Sequence, residues 1–398
     1  GMANVFQGWD AHWHANYIRF IHDLGLASPD HAGELRYPEN GATLYYPSTW
    51  HAIAALVMTL RGIGAVEAYN LVQIGSVAVV FPLGVAALAW LITHRRYSRA
   101  VVATSAAVAA MATPLFPGLP FVEVMVAATP SAVANGMAGL GAAVVVAALA
   151  DRRLIPAGAL GLVGIGGVHP SGMVTVAVIV LFWWLFEGLW RPVRGRIRDF
   201  AVLAGIGLAG VLTLLPQILT VSAEADDISA FEFQINADRA ATWGKAVALQ
   251  VRHVQDWGVR WVLLSLAAVG LIVMLRRLVF WPLLLWAGLL VVCVNAMNVF
   301  GNWTGGALRA LGSVYYNDPR RIGVVMAVIV AVPGAIAVTR PFRSTVAIPG
   351  LLLFHASSWL APEGKIAAES FCVLSPFVKS IGPAADNLTP VTAFFTVT

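Results

Sequence analysis

The sequence predicts an all-α fold, a polytopic bundle of transmembrane helices whose first exterior loop carries interfacial helices. Three observations predict it. Of 398 residues, 59% are hydrophobic and only 11% charged, against about 25% charged in soluble domains, and the mean hydropathy is +0.78. The apolar residues fall in runs at 66–92, 100–116, 130–150, 154–168, 172–190, 200–221, 259–275, 278–300, 322–339 and 346–361. Most are long enough to cross about 30 Å of hydrocarbon at about 1.5 Å per residue. Arginines then cluster in every second connection: Arg95, Arg96 and Arg99; Arg152 and Arg153; Arg191, Arg194, Arg196 and Arg198; Arg276 and Arg277; Arg340 and Arg343. The positive-inside rule makes those connections cytoplasmic.

The alternate connections hold Glu123, Glu224, Asp226, Asp227, Glu232, Asp238 and Asp256, so they lie outside the cell, as do residues 1–65. The chain divides into an extracytoplasmic loop at 1–65, a bundle of about ten helices at 66–361 with an exterior loop at 222–257, and a C-terminal tail at 362–398. An outside start requires an upstream span or signal, and Gly1-Met2-Ala3-Asn4 is neither. A preceding membrane helix is therefore expected, and the tail reads as incomplete.

Composition also excludes functions. The net charge of +5 is distributed in short patches that topology explains, which argues against a nucleic-acid partner. Cys293 lies in an apolar run and Cys372 in the tail, with no spacing of a zinc site or disulfide framework. No Walker-type lysine loop or dinucleotide glycine fingerprint is present, which argues against ATP-driven transport.

Along the exterior segments, Trp13, Tyr17, Phe20, Ile21 and Leu24 form an apolar stripe and His12, Asn16, Arg19 and Asp23 a polar one, as expected for a helix lying in the interface. Tyr45-Tyr46-Pro47-Ser48-Thr49-Trp50-His51 precedes an apolar run. Ser48 or Thr49 can cap a helix there, with first-turn amides suited to an anion. The run at 154–168 is short, rich in glycine and stopped by His169-Pro170, the pattern of a broken helix lining a cavity. Ala237 to Gln255 predicts a second surface helix.

Candidate functional residues concentrate on the exterior side. Asp10 precedes a helix, where its ordinary role is an N-cap worth about 1 kcal/mol. It also stands four residues before His14, so carboxylate and imidazole share a face and can couple as a general base and its partner. His12 points away, and a two-residue offset turns His12 and His14 too far apart for a helical zinc site. His169, ionisable near the outer end of two spans, reads either as a site residue or as a neutral histidine bonded to a carbonyl freed by Pro170.

Tyr316-Asn317-Asp318-Pro319-Arg320-Arg321 starts the span at 322, with Asp318 as N-cap and Pro319 at the first position. Arg320 and Arg321 then stand in a first turn, where the helix dipole disfavours cations, and on the outer side, where arginine is depleted. A lipid phosphate would offset that cost. So would pairing with Asp318. Trp9, Trp13, Tyr45, Tyr46, Trp50, Trp303, Tyr315 and Tyr316 fit sugar stacking or membrane anchoring.

Trp9-Asp10 with its histidine-rich helix, Tyr46-Pro47 through Trp50-His51, His169-Pro170 and Tyr316 to Arg321 resemble the polytopic GT-C glycosyltransferases, and more closely an actinobacterial group of membrane proteins related to them. The resemblance covers most of residues 1–340. It implies transfer of a sugar from a polyprenyl-phosphate donor to an envelope glycan or lipid acceptor at the outer face of the cell membrane. Asp10 would be the base, tuned by His14. Arg320 and Arg321 would hold the departing phosphate, with His51, His169 and Tyr316 lining the substrate site. No metal ligands are implied, and a divalent cation is left open. The adjacent acid pair common in that class is replaced here by Trp9-Asp10. The competing classes are a flippase for lipid-linked glycans and a non-catalytic envelope scaffold.

Overall fold

Each apolar run from 66 to 339 folds as helix, and the differences in helix length explain how the bundle is layered. The computed structural model describes residues 2–4, 10–36, 39, 44–116, 121–222, 232–235, 237–254 and 258–339. Residues 10–339 belong to one unit, Val5–Arg343. The run expected at 346–361 and the tail lie outside the described residues. Among the described residues all regular structure is helical.

Three helices come before the first long span: α1 (Ala11–Leu24), α2 (Ala32–Arg36) and α3 (Thr49–Arg61). The span itself is Ala65–Thr93, built from α4 (Ala65–Gly75), a π-helical turn at Ser76–Val80 and α5 (Phe81–Thr93). There follow α6 (Arg99–Ala112), the short α7 (Phe121–Met125), α8 (Thr129–Ala147), α9 (Ile155–Val168), α10 (Pro170–Trp183) and α11 (Arg196–Ser222). The chain continues through α12 (Arg239–Val247), α13 (Trp261–Arg276), α14 (Trp281–Met297), α15 (Trp303–Gly312) and α16 (Pro319–Thr339).

Among the described residues, five segments are long and apolar enough to cross a membrane: Ala65–Thr93, Thr129–Ala147, Pro170–Gly188, Arg196–Leu219 and Pro319–Thr339. The glycine-rich run expected to be broken is continuous in α9. At about 21 Å it is shorter than the hydrocarbon thickness, and it turns directly into α10 through the single extended residue His169.

Helices α8 and α16 form the centre. Helix α16 packs on α5, α6, α8, α13 and α14, and α8 on α5, α9 and α10. Helix α11 leans on α9 and exposes Phe200, Leu208, Leu212, Leu215 and Leu219. So many exposed apolar side chains on one helix suit lipid contact. Small residues set the closeness of the centre. A Cβ on Gly84 of α5 would stand 1.9 Å from the Gly136 carbonyl oxygen of α8, and one on Gly270 of α13 would stand 1.7 Å from the Pro333 carbonyl oxygen of α16. Backbones this near require glycine, as in small-residue packing between membrane helices.

The arginine-rich connections meet at one end of the bundle. Arg95 Nη1 donates to the Arg191 carbonyl (2.9 Å), Arg96 Nη1 to the Arg277 carbonyl (3.2 Å) and Arg194 Nη2 to the Ala150 carbonyl. Each guanidinium thus answers carbonyls left free at a helix C-terminus, where a cation is favoured. Arg96 also pairs with buried Glu187 at 3.6 Å.

Helix α1 has the expected exposed stripe of His12, Asn16, Arg19 and Asp23. Its apolar side differs from expectation. Ala11, His14, Ala15, Tyr17, Ile18 and Ile21 are buried against α3 and α4, and Leu24 is exposed. The helix therefore spends its apolar face on protein neighbours. Of the aromatics expected to stack on sugars or anchor a membrane, Tyr45, Trp50 and Tyr315 are likewise buried, whereas Trp303 is 83% exposed. The second surface helix is only α12; residues 248–254 that follow are irregular.

Candidate functional site

At the end opposite the arginine cluster, α1, α3, α7, the His169 turn and the start of α16 converge. Asp10 occupies the N-cap position of α1, but its side chain makes no capping hydrogen bond. Its partly exposed carboxylate is left without a bond among the described residues. The expected coupling to His14 is also altered. His14 is 1% exposed, its Nε2 lies 2.8 Å from the Ala127 carbonyl oxygen and its Nδ1 lies 2.8 Å from His51 Nε2. A carbonyl only accepts, so Nε2 carries the hydrogen and the Nδ1 of neutral His14 accepts from His51.

Asp10 is thus not bonded to His14 and reaches it only through its charge. Burial pushes the His14 pKa down to about 4, opposed by the Asp10 carboxylate and by the Ala127 carbonyl. Ala127 itself is held at φ 59°, a left-handed conformation costing a non-glycine residue about 1 kcal/mol. His51, expected to line the substrate site, is completely buried among Tyr17, Tyr46 and Trp50. Helix α3 begins at Thr49 as expected, with Ser48 buried and making no capping bond, so the anion site considered there has no support from its cap.

The start of α16 follows the expected pattern. Asp318 Oδ1 accepts from the Arg320 amide at 2.9 Å, capping the helix whose first residue is Pro319. Arg320, expected on a phosphate, is 2% exposed and lies between two acids: Nη2 is 3.2 Å from Asp318 and Nη1 is 3.2 Å from Glu123. Asp318 also takes Arg252 at 3.1 Å. Two arginines and two carboxylates thus form a locally neutral cluster. Buried charges persist only when paired in this way.

Arg321 differs. No carboxylate pairs with it among the described residues, and its Nε is buried without a partner. Its guanidinium lies 4.1 Å from the Tyr316 ring centroid, and Nη1 is 3.3 Å from His169 Nε2. Tyr316 and Asn317 both have positive φ, 60° and 49°. Residues held in such conformations tend to cluster at working sites. His169 stays neutral, because burial first and the Arg321 charge second lower its pKa.

Tyr46 joins the two halves. Its ring is 5.4 Å from Trp13 and 6.3 Å from His14. Burial raises the pKa of its phenol, with Tyr316 and Asp10 adding to the effect and Arg321 opposing it. The structure brings together Asp10, His14, His51, His169, Tyr316, Arg320 and Arg321. Sequence reasoning missed the parts played by Glu123, Arg252 and Tyr46. Arg252 sits in a polar exterior loop that shows no pattern, Glu123 is a lone acid in an apolar connection that folds as the short α7, and Tyr46 lies inside a motif read as a helix start. Among the described residues, no three His, Cys, Asp or Glu side chains converge in a metal-binding arrangement.

Fold and site define an all-helical protein with several helices suited to crossing a membrane and a polar, arginine-bearing site at one end of its bundle. The chain belongs to the family of unknown function DUF6541, whose model matches residues 1–368. Neither curated proteins nor solved structures gave a match.

Proposed function

We propose that this protein is an extracytoplasmic, GT-C-like membrane glycosyltransferase that moves a sugar from a polyprenyl-phosphate donor to an envelope glycan or lipid acceptor. One observation carries the reading: the same end of the bundle carries a partly exposed carboxylate that makes no capping bond, Asp10, and an arginine with no carboxylate partner among the described residues, Arg321. A transferase with a phosphate leaving group needs these two elements close together, a base for the incoming hydroxyl and a fixed cation where negative charge develops.

In this mechanism Asp10 takes the proton of the acceptor hydroxyl as its oxygen attacks the anomeric carbon. The bond from that carbon to the phosphate oxygen breaks, and the electron pair leaves on polyprenyl phosphate beside Arg321. Arg320 acts indirectly, by holding Asp318 and Glu123 neutralised so that neither competes for Arg321. The arginine-rich end faces the cytoplasm in this reading, which puts Asp10 outside, where lipid-linked sugars are presented.

The test is glycosyl transfer by the full-length protein in lipid nanodiscs supplied with polyprenyl-phosphate sugars. Asp10→Asn is expected to bind donor and lose turnover. Wild-type turnover in that variant would remove Asp10 as the base. Donor binding by a wild-type protein that transfers nothing would replace the enzyme with a flippase.

A further inference from the structure

Behind His169 runs a buried chain of hydrogen bonds whose direction is set at one end. Asn135 Nδ2 lies 2.8 Å from the Ser131 carbonyl oxygen, an acceptor only, so the amide has one orientation and nitrogen faces that way. The same Nδ2 donates to Ser171 Oγ at 3.0 Å. On the other side the one hydroxyl hydrogen of Thr175 is shared between Asn135 Oδ1 at 2.7 Å and the Ser171 carbonyl at 2.8 Å, and the Tyr315 hydroxyl closes the chain at 2.8 Å from Thr175. Asn135, Ser171 and Thr175 are each no more than 2% exposed, so bulk water does not relax this order.

Ser171 Oγ accepts from Asn135, so its own hydrogen is free for His169 Nδ1, 2.8 Å away. The Ser171 backbone N–H points at the same nitrogen from 3.3 Å. The backbone N–H can only donate, so it makes Nδ1 the bare nitrogen, the Ser171 hydroxyl held by Asn135 supplies a second donor to it, and the hydrogen of neutral His169 then sits on Nε2. That nitrogen is 3.3 Å from Arg321 Nη1, which can only donate. Two N–H groups therefore face each other with no acceptor between them.

We propose that Asn135 is a positioning residue: through Ser171 it holds His169 in the Nε2–H form, so that His169 and Arg321 offer converging donors to one oxygen of an anionic ligand. The tautomer stands on the hydrogen-bond chain alone. That the ligand is a phosphate oxygen rests on the function proposed above. Were the hydrogen on Nδ1, Arg321 would donate to Nε2 and be partly occupied by its own neighbour. Asn135 thus acts on the site from the interior, in contact with neither the sugar nor the phosphate.

The experiment is nitrogen-15 NMR of histidine-labelled full-length protein, in which protonated and bare ring nitrogens have separate shifts, with His169→Gln used to assign the signal. Wild type is expected to show Nε2–H and bare Nδ1 at His169. A wild-type spectrum with Nδ1–H overturns the proposal without any variant having to fold. Asn135→Leu keeps the size and removes the amide, and is expected to give a mixture of tautomers and about tenfold weaker binding of undecaprenyl phosphate, the scale of one hydrogen bond to a charged group. A single unchanged tautomer in Asn135→Leu also overturns it. Nε2–H in a wild type that binds no undecaprenyl phosphate keeps the positioning role and instead overturns the phosphate ligand.

Discussion

Arg320 and Arg321 are consecutive residues in the first turn of α16, yet Arg320 lies within 3.2 Å of both Asp318 and Glu123 while Arg321 meets the face of Tyr316 and, among the described residues, no carboxylate. One arginine is structural and the other is available. The division follows from helical phase, since consecutive residues are turned about 100° apart.

Arg320→Ala is expected to destabilise the protein by about 3–5 kcal/mol, because it leaves Asp318 and Glu123 buried without their shared cation. Arg321→Ala is expected to change stability by less than about 1 kcal/mol, having no carboxylate to strand, and to abolish binding of polyprenyl phosphate. Thermal unfolding and lipid binding on the two variants separate the roles. Equal destabilisation by both would contradict the division.

Asp10 makes no capping bond, so Asp10→Ala is expected to cost less than about 0.5 kcal/mol, where a working aspartate cap costs about 1. Turnover should nevertheless be lost. A drop in thermal stability of cap size would restore the structural role.

Acid should weaken the fold through His14. An imidazole with a pKa of about 4 in the fold and 6.5 as its ordinary value binds fewer protons folded than unfolded. Its contribution is complete above about pH 6.5 and is lost progressively as pH falls towards 4. The full loss is about 3 kcal/mol. His14→Phe should be less stable than wild type at pH 7 and show a flatter stability profile between these limits, measured as melting temperature against pH. An unchanged acid slope in that variant would assign the effect elsewhere.

Gly139→Ala is expected to disrupt packing of α5 on α8, because its Cβ would stand 2.4 Å from the Gly84 carbonyl oxygen. A loss of about 3 kcal/mol or more is the scale of severe overpacking. Gly161→Ala, with nothing within 4 Å, should be neutral or stabilising. The yield and melting temperature of the purified variants decide this comparison.

The proposed orientation has its own test. In a background lacking both native cysteines, a cysteine at exposed His12 should react with a membrane-impermeant maleimide added to intact cells. One at exposed Arg152 should react only after lysis. The reverse pattern would place the site in the cytoplasm and end the extracytoplasmic reading.

The helices built on the long apolar runs were legible in the sequence to within a few residues because length, apolarity and punctuation are local properties, whereas the short α2, α7 and α15 were not. The Asp318-Pro319 start of α16 and the His169-Pro170 break are written in adjacent residues, and both stand where they were expected. The site was legible only in part. Asp10 and His14 share a helix face in sequence, but the nearest hydrogen-bond partners of His14 come from residues 51 and 127, and no helical spacing announces them. Glu123, a single acid among the apolar residues of its connection, gives no sign that Arg320, 197 positions later, ends against it.

By itself, then, the sequence determined an all-helical chain with spans of membrane length, arginines in alternate connections and a polar group of residues at the other helix ends. Only the tertiary structure decided which of those polar residues neutralise one another and which stay free. Periodicity tells a side chain which face of its own helix it occupies. Whether a charge is paired depends on which other helix covers that face, and that is set by packing between segments distant in sequence.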